Sequence, residues 1–213
     1  MEYIDFRKMK EINGVKKPKS ALGFERLVKI CEAAEQLFVS KGFSETSIAD
    51  ICTSANMAIG TFYIYFTDKV ALYRYLVMNY SYVIRHHLRN NTRHCKSRFE
   101  MEREGLKAFI QFGYNNPHCY KLIWGSIVID KQLFTDYYTS FAEAYVQALS
   151  KHTDELRDGL DLVNASYVLM GIANFVGLQA MFEQTLTPES LEQLVNQTMN
   201  IIKSGMFKTP TLE

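Results

Sequence analysis

The side chains best suited to chemistry lie between residues 44 and 69, where hydroxyl groups and one lysine are spread along two short segments. Hydroxyl and ammonium groups donate hydrogen bonds to phosphate oxygens. Apolar residues recur at helical spacing on both sides of a break around Asn56. They are Ile48, Ile51 and Cys52 before the break and Ile59, Phe62 and Phe66 after it. The break is too short for two independent helices, so the segments are predicted to pack at an angle as a helix-turn-helix.

The second helix of such a pair enters the DNA major groove and presents its outward residues to base edges, while flanking groups contact phosphates. The sequence predicts this recognition helix over residues 58–65, after a turn in which Asn56 tolerates a positive φ. The predicted inward positions are Ile59 or Met57, Phe62 and Phe66. The predicted outward positions are Ala58, Thr61, Ile64 and Tyr65.

Residues 26–72 resemble the DNA-binding domain of the TetR family of bacterial transcriptional regulators. The matching features are Ala33-Ala34, Leu37-Phe38, Lys41-Gly42-Phe43, Thr46-Ser47-Ile48-Ala49-Asp50-Ile51, Gly60-Thr61-Phe62-Tyr63-Ile64-Tyr65-Phe66, Asp68-Lys69 and Leu72. The rest of the chain resembles the family only in length and helical texture. The resemblance implies DNA contacts by Thr46, Thr61, Tyr63, Tyr65 and Lys69. The other predicted DNA-binding residues are Ser47, Ala58, Ile59 and Ile64.

The recognition helix departs from the family pattern before Gly60. Where the family often has Gly-Val-Ser-Lys or Gly-Val-Ser-Arg, this chain has Asn56-Met57-Ala58-Ile59. Ala58 has no hydroxyl with which to cap the helix, and the predicted recognition surface is apolar. Contacts with thymine methyl groups would suit it, with Thr61 and Ile64 facing the bases. Tyr63 and Tyr65 are two residues apart, so they cannot both point inward on a helix.

Composition favours an ordinary globular protein. The 213 residues are 47% hydrophobic and 22% charged. No apolar run is expected to approach the roughly 20 residues of a membrane span, and residues 1–20 lack the apolar core of a signal peptide. A cytoplasmic location is therefore predicted. The four cysteines and five histidines are scattered without metal-ligand or nucleophile–base spacing, so no enzyme, metal or cofactor is predicted.

Charge is divided unevenly along the chain. Residues 1–96 carry a net charge of +6 and residues 97–213 carry −5. A basic DNA-binding head on a mildly acidic sensing body would produce this division. Chance segregation of solvated charge would produce it as well.

The chain is predicted to be all-α, with about nine helices. The predicted organisation is a basic flexible arm over 1–23, a helix-turn-helix domain over 24–67, a linking helix over 68–96, and a ligand-binding and dimerisation domain over 97–213. The arm either contacts phosphates or the minor groove beside the recognition helix, or is a solvated tail. The resemblance implies an effector pocket in the last domain, and its predicted lining is Phe112, Trp124, Tyr138, Phe141, Met170, Asn174 and Phe175.

A dimer interface is predicted from small and apolar residues on the last two helices. The residues are Gly171, Gly177, Leu178, Met181, Leu191, Leu194, Thr198 and Ile201. They either form a four-helix bundle across a two-fold axis or pack within one subunit.

The resulting hypothesis is a dimeric TetR-like regulator whose helix-turn-helix binds a palindromic operator. By resemblance it is a repressor, released by an apolar or aromatic small molecule. The alternative is a DNA-binding regulator without an effector, whose last domain serves dimerisation or protein partners.

Overall fold

The computed structural model describes Tyr3, residues 11–182 and residues 185–204. These residues form nine α-helices and a short 3-10 helix, Ser150–Glu155. The α-helices are α1 (Ala21–Ser40), α2 (Ile48–Ser54), α3 (Ile59–Tyr65), α4 (Lys69–Thr92), α5 (Arg98–Asn115), α6 (Pro117–Ile129), α7 (Lys131–Leu149), α8 (Leu162–Phe182) and α9 (Pro188–Ser204). The predicted all-α class is confirmed. Within the described residues, extended pairing is limited to one isolated bridge between Val15 and Phe66.

Local capping fixes several helix ends. An Asp68 carboxylate oxygen accepts a hydrogen bond from the Ala71 amide at 2.8 Å, at the start of α4. The Thr187 hydroxyl accepts one from the Ser190 amide at 3.1 Å, at the start of α9. Gly42 follows the end of α1 with a φ of +92°, a left-handed conformation that favours glycine. These signals are local, so the sequence contains them directly.

The first compact unit consists of two stretches of chain. One is the described chain up to Arg85, within α4, and the other is residues 118–141. The helix α6 packs against α4 in this unit. The Tyr73 hydroxyl donates to the Leu122 carbonyl oxygen at 2.5 Å, and the Arg74 guanidinium pairs with Asp130 at 2.5 Å. This division differs from the predicted one, which assigned every helix after α4 to a single C-terminal domain.

The second compact unit contains residues 86–117 and the described chain from Ala142 onward. In it, α5 packs against both α8 and α9. The buried core consists of Leu106 and Ile110 from α5, Ala180 from α8, and Leu191, Val195 and Met199 from α9. Apolar faces of three helices therefore close on one another within a single subunit.

Three residues predicted at a dimer interface lie inside this second unit instead. Gly177, Leu191 and Thr198 are buried, and the Thr198 hydroxyl donates to the Leu194 carbonyl oxygen at 2.8 Å. For these residues packing within one subunit is the correct alternative, because α9 buries its apolar stripe against α5 and α8. The other predicted interface residues are partly buried or exposed: Gly171, Leu178, Met181, Leu194 and Ile201.

The prediction that no apolar run approaches a membrane span is wrong for α8. This helix has 21 residues without a charged side chain, and by length and composition alone it could cross a membrane. A core helix of a soluble protein passes the same test. Ser166, Met170, Gly177 and Ala180 of α8 are buried within the second unit, so part of its apolar surface is used in packing.

Candidate nucleic-acid interface

The helix α2 begins with a reciprocal capping box. The Asp50 amide donates to the Ser47 hydroxyl at 3.0 Å, and the Ser47 amide donates to the Asp50 carboxylate at 2.9 Å. The hydrogen bond from the Ser47 amide, and after it one from the Ser47 side chain, lower the pKa of Asp50, whose charged carboxylate lies beside the positive end of the helix dipole. The exposed Ser47 is therefore held in place as the N-terminal cap of α2.

A tight turn joins α2 to α3. Asn56 has a φ of +54°, which confirms the positive φ predicted for it. The Met57 amide donates to the Cys52 carbonyl oxygen at 2.9 Å and closes the turn. Cys52 is buried beneath it, as expected of a small residue where two helices approach closely. This turn fixes the angle between α2 and α3.

The exposed face of α3 is apolar. Ile59 is 50% exposed, Tyr63 48% and Ile64 56%, whereas Phe62 is fully buried. Ala58 precedes the helix and makes no side-chain capping hydrogen bond, as predicted. Thr61 is partly buried on the same helix. Ile59 and Met57 were predicted as alternatives for one inward position. Ile59 is exposed and faces outward, whereas Met57 is partly buried and is the inward residue of the two.

Two residues predicted to contact DNA are buried. Tyr65 is only 4% exposed, and its hydroxyl lies next to the start of α1, 3.6 Å from the point where a Cβ on Gly23 would stand. Thr46 is fully buried, and its hydroxyl donates to the Gly42 carbonyl oxygen at 2.7 Å. Tyr65 therefore anchors α3 from inside, and Thr46 stabilises the loop before α2. The expectation that Tyr63 and Tyr65 face different ways is confirmed, with Tyr63 as the outward member.

Lys69, which was predicted to contact a phosphate, binds backbone carbonyl oxygens in the structure. Its ammonium group donates to the carbonyl oxygens of Phe43 and Thr46, both at 2.6 Å. It lies 4.3 Å from the centre of the Phe43 ring, over its face. A more distant carbonyl, that of Ser44, lies at 3.5 Å. The charge is therefore committed to fastening the loop before α2 to the start of α4.

The helix-turn-helix itself carries no positive charge. No lysine or arginine occurs between Lys41 and Lys69, while Glu45, Asp50 and Asp68 lie in that interval. With Lys69 bound to backbone carbonyls, cations that neutralise phosphates have to come from outside α2 and α3. This lack of basic residues in the helix-turn-helix was not predicted, although the positions of lysine and arginine in the sequence show it directly.

The residues predicted to line an effector pocket come from both compact units. Trp124, Tyr138 and Phe141 belong to the first unit, and Phe112, Met170, Asn174 and Phe175 belong to the second. The Asn174 side-chain amide donates to the Met170 carbonyl oxygen of its own helix at 2.8 Å. Phe175 is 67% exposed on the surface of its unit. The Asn174 amide thus makes a structural hydrogen bond within α8.

Aromatic rings in the first unit form a continuous group along α7. Phe134 and Tyr138 have ring centres 4.9 Å apart, and those of Tyr137 and Phe141 are 5.1 Å apart. Burial raises the pKa of Tyr138, which a hydrogen bond with Trp124 partly offsets. Trp124 on α6 is 40% exposed.

Comparison with known proteins agrees with this arrangement. Residues 30–76 match the model of the family described as bacterial regulatory proteins, tetR family. A Lactococcus lactis relative, an uncharacterized HTH-type transcriptional regulator in the lacX 3' region, is 31% identical over 182 residues. That match covers 83% of this chain and 87% of the relative.

Solved structures share the fold at low sequence identity. One from Syntrophomonas wolfei, assigned to the TetR family of transcriptional regulators, superposes with a TM-score of 0.74 at 20% identity, covering 86% of this chain and 97% of that one. The fatty acid degradation regulator FadR from Bacillus halodurans gives 0.71 at 15% identity, covering 85% and 96%.

FadR from Bacillus subtilis, in complex with stearoyl-CoA, gives a TM-score of 0.69 at 16% identity, covering 84% of this chain and 99% of that one. At these identities the structures support the fold, while the relative from Lactococcus lactis and the match over residues 30–76 support the family. With a helix-turn-helix built as described above, the chain belongs to the TetR family of bacterial transcriptional regulators and is a DNA-binding protein.

Proposed function

We propose that this regulator is a homodimeric repressor that binds a palindromic operator and is released by an apolar or aromatic small molecule. The observation that carries the operator proposal is the exposed apolar face of α3, formed by Ile59, Tyr63 and Ile64. Burial of exposed apolar surface is energetically favourable. Thymine presents its methyl group in the major groove, so this face of α3 could be buried against it. Binding to chromosomal DNA would place the protein in the cytoplasm.

The operator proposal is tested by selecting bound duplexes from a random-sequence pool with the purified full-length protein. We expect the selected sequences to be palindromic, with A·T pairs facing Ile59 and Ile64. The variant Ile64→Gln should change which base pairs are preferred, whereas a control, Val128→Gln on α6, should select the same sequences. Selected sequences without two-fold symmetry would contradict the dimeric operator model.

The homodimer proposal is supported by the outer surface of α8. Val163, Tyr167 and Val168 are exposed there, and Gly171 lies one turn further along. A Cβ added at Gly171 would meet no atom within 4 Å. Such a surface permits close approach of a second helix, and two recognition helices related by a two-fold axis match the two halves of a palindrome.

The effector proposal is supported by the aromatic group of α6 and α7, which contains Trp124, Tyr138 and Phe141. Aromatic and apolar side chains with few polar groups are typical of small-molecule sites. The Bacillus subtilis FadR structure contains stearoyl-CoA, so long-chain acyl-CoA esters are the first compounds to test. The effector would bind the DNA-free conformation more tightly, by about 1–3 kcal/mol of coupling.

Trp124 is the one tryptophan of the chain, so intrinsic fluorescence reports on this group directly. We expect stearoyl-CoA or another apolar compound to change the Trp124 emission saturably and to weaken operator binding over the same concentration range. Tyr138→Ala should reduce the affinity for the compound, and Leu160→Ala, at an exposed position before α8, should leave it unchanged. If no compound in a panel of acyl-CoA esters and aromatic molecules releases the protein from its operator, the result would favour the alternative of a regulator without an effector.

A further inference from the structure

The chain before α1 is fastened to the end of the recognition helix. The Lys16 amide donates to the Tyr65 carbonyl oxygen at 2.8 Å, and the Thr67 amide donates to the Gly14 carbonyl oxygen at 2.9 Å. Between these two hydrogen bonds, Val15 forms an antiparallel bridge with Phe66. Residues 12–19, here called the basic strap, therefore have a defined position beside α3. For residues 12–19 this differs from the flexible arm predicted over residues 1–23, because local composition does not indicate pairing with a distant segment. Residues 1, 2 and 4–10 of that predicted arm lie outside the described residues.

A turn at the start of the basic strap makes this pairing possible. The Val15 amide donates to the Ile12 carbonyl oxygen at 3.0 Å, and Gly14 has a φ of +81°. A Cβ at Gly14 would stand 2.5 Å from the Thr67 hydroxyl oxygen and 2.7 Å from the Ala71 Cβ. Glycine is thus needed both for the backbone conformation and for the close approach to α4.

The far end of the basic strap reaches the start of α1 beside Tyr65. Pro18 is buried, and a Cβ added at Gly23 would lie 3.5 Å from the Pro18 Cβ and 3.6 Å from the Tyr65 hydroxyl. Pro18 and the Tyr65 hydroxyl therefore both lie close to Gly23. Tyr65 is buried, whereas Tyr63 and Ile64 before it on α3 are exposed.

The basic strap brings positive charge to a recognition unit that has none. Lys16, Lys17 and Lys19 are exposed. Between Lys41 and Lys69 the chain has acidic residues but no basic one, and Lys69 is bound to carbonyl oxygens. Phosphate neutralisation by Lys and Arg provides most of the sequence-independent affinity for DNA.

We propose that Lys16, Lys17 and Lys19 of the basic strap bind DNA phosphates flanking the groove that α3 enters. The strap supplies affinity and α3 supplies sequence preference, so the two functions lie in adjacent segments joined through the Val15–Phe66 bridge. The inference rests on the DNA-binding role of the chain and does not depend on the effector or on repression.

The test is a salt titration of binding to a 40-base-pair duplex of random sequence, which needs no knowledge of the operator. We compare the wild-type protein with the variant Lys16→Gln/Lys17→Gln/Lys19→Gln. A control, Lys96→Gln/Lys131→Gln/Lys151→Gln, removes the same charge from exposed positions outside the basic strap. We expect the slope of log affinity against log salt to shrink by about 0.9 for each lost contact in the strap variant, with affinity falling about tenfold or more at 0.1 M salt. The control should change neither quantity comparably.

A second variant, Gly14→Val, keeps every charge and disturbs the anchoring turn. It should weaken binding in the same direction while retaining the melting transition of the rest of the fold. Equal slopes for wild type, strap variant and control would overturn the proposal. Absence of salt-dependent binding by the wild type would instead contradict DNA binding itself, so the two failures are distinguishable.

Discussion

At the scale of single residues, the partners of Lys69 set its role. Its ammonium group donates to two carbonyl oxygens at 2.6 Å, and hydrogen bonds to charged groups contribute more than neutral ones. We predict that Lys69→Met lowers the free energy of unfolding by about 1–3 kcal/mol, measured by urea denaturation. Lys41→Met, at an exposed position, is the control and should change stability little. If Lys69→Met left stability unchanged and reduced the slope of log DNA affinity against log salt concentration, Lys69 would instead be a phosphate contact.

The two tyrosines of α3 make a matched pair. Tyr65 is buried and Tyr63 is half-exposed. We predict that Tyr65→Ala destabilises the protein by about 3–5 kcal/mol, as is typical of a large aromatic side chain removed from a core. Tyr63→Ala should change stability by about 0.5 kcal/mol or less and weaken DNA binding instead. Thermal unfolding and duplex binding of both variants decide this, and a stability loss confined to Tyr63→Ala would reverse the assignment.

Helical spacing alone predicts that these two tyrosines cannot both point inward. Tyr65 was predicted at an outward position, whereas the structure buries it. Tyr65 is buried with its hydroxyl next to Gly23 at the start of α1, and that approach joins segments far apart in sequence. Thr46 and Lys69 show the same limit, since hydroxyl and ammonium groups can donate to backbone carbonyls as well as to phosphates.

At the scale of elements, the turn between α2 and α3 depends on one conformation. Asn56 has a φ of +54°, which costs a residue with a Cβ roughly 1–2 kcal/mol and glycine almost nothing. We predict that Asn56→Ala destabilises the helix-turn-helix by about 1 kcal/mol relative to Asn56→Gly. Denaturation midpoints of the two variants provide the comparison. Equal midpoints would mean that the turn relaxes to a negative φ.

Helix bounds were predictable to within a few residues because caps and apolar periodicity are local properties of the chain. The faces of α8 and α9 were not. Leu191 and Thr198 satisfy an interface pattern and yet lie inside their own subunit, because α5 offers these helices an apolar face of its own. Periodicity identifies an apolar stripe without identifying the surface that covers it.

At the scale of the whole molecule, the dimer proposal assigns a partner to the outer face of α8. Val168 is 53% exposed there. We predict that Val168→Asp weakens self-association by about 2–5 kcal/mol, the usual cost of an unpaired charge buried at an interface. Light scattering during size-exclusion chromatography measures the effect. Val128→Asp places the same charge on the exposed surface of α6 and should remain dimeric; a monomeric wild type, or a dimeric Val168→Asp, would contradict the proposal.

The most direct test of the account is a mobility shift of the purified protein on the intergenic DNA upstream of its own gene, with random duplex as competitor. We predict a complex of two subunits per site that the random duplex does not displace. The variant Ile64→Gln should keep the fold but form a complex that the random duplex does displace. Binding that random duplex removes equally well, in wild type and variant alike, would contradict the claim that the apolar face of α3 recognises a specific operator there.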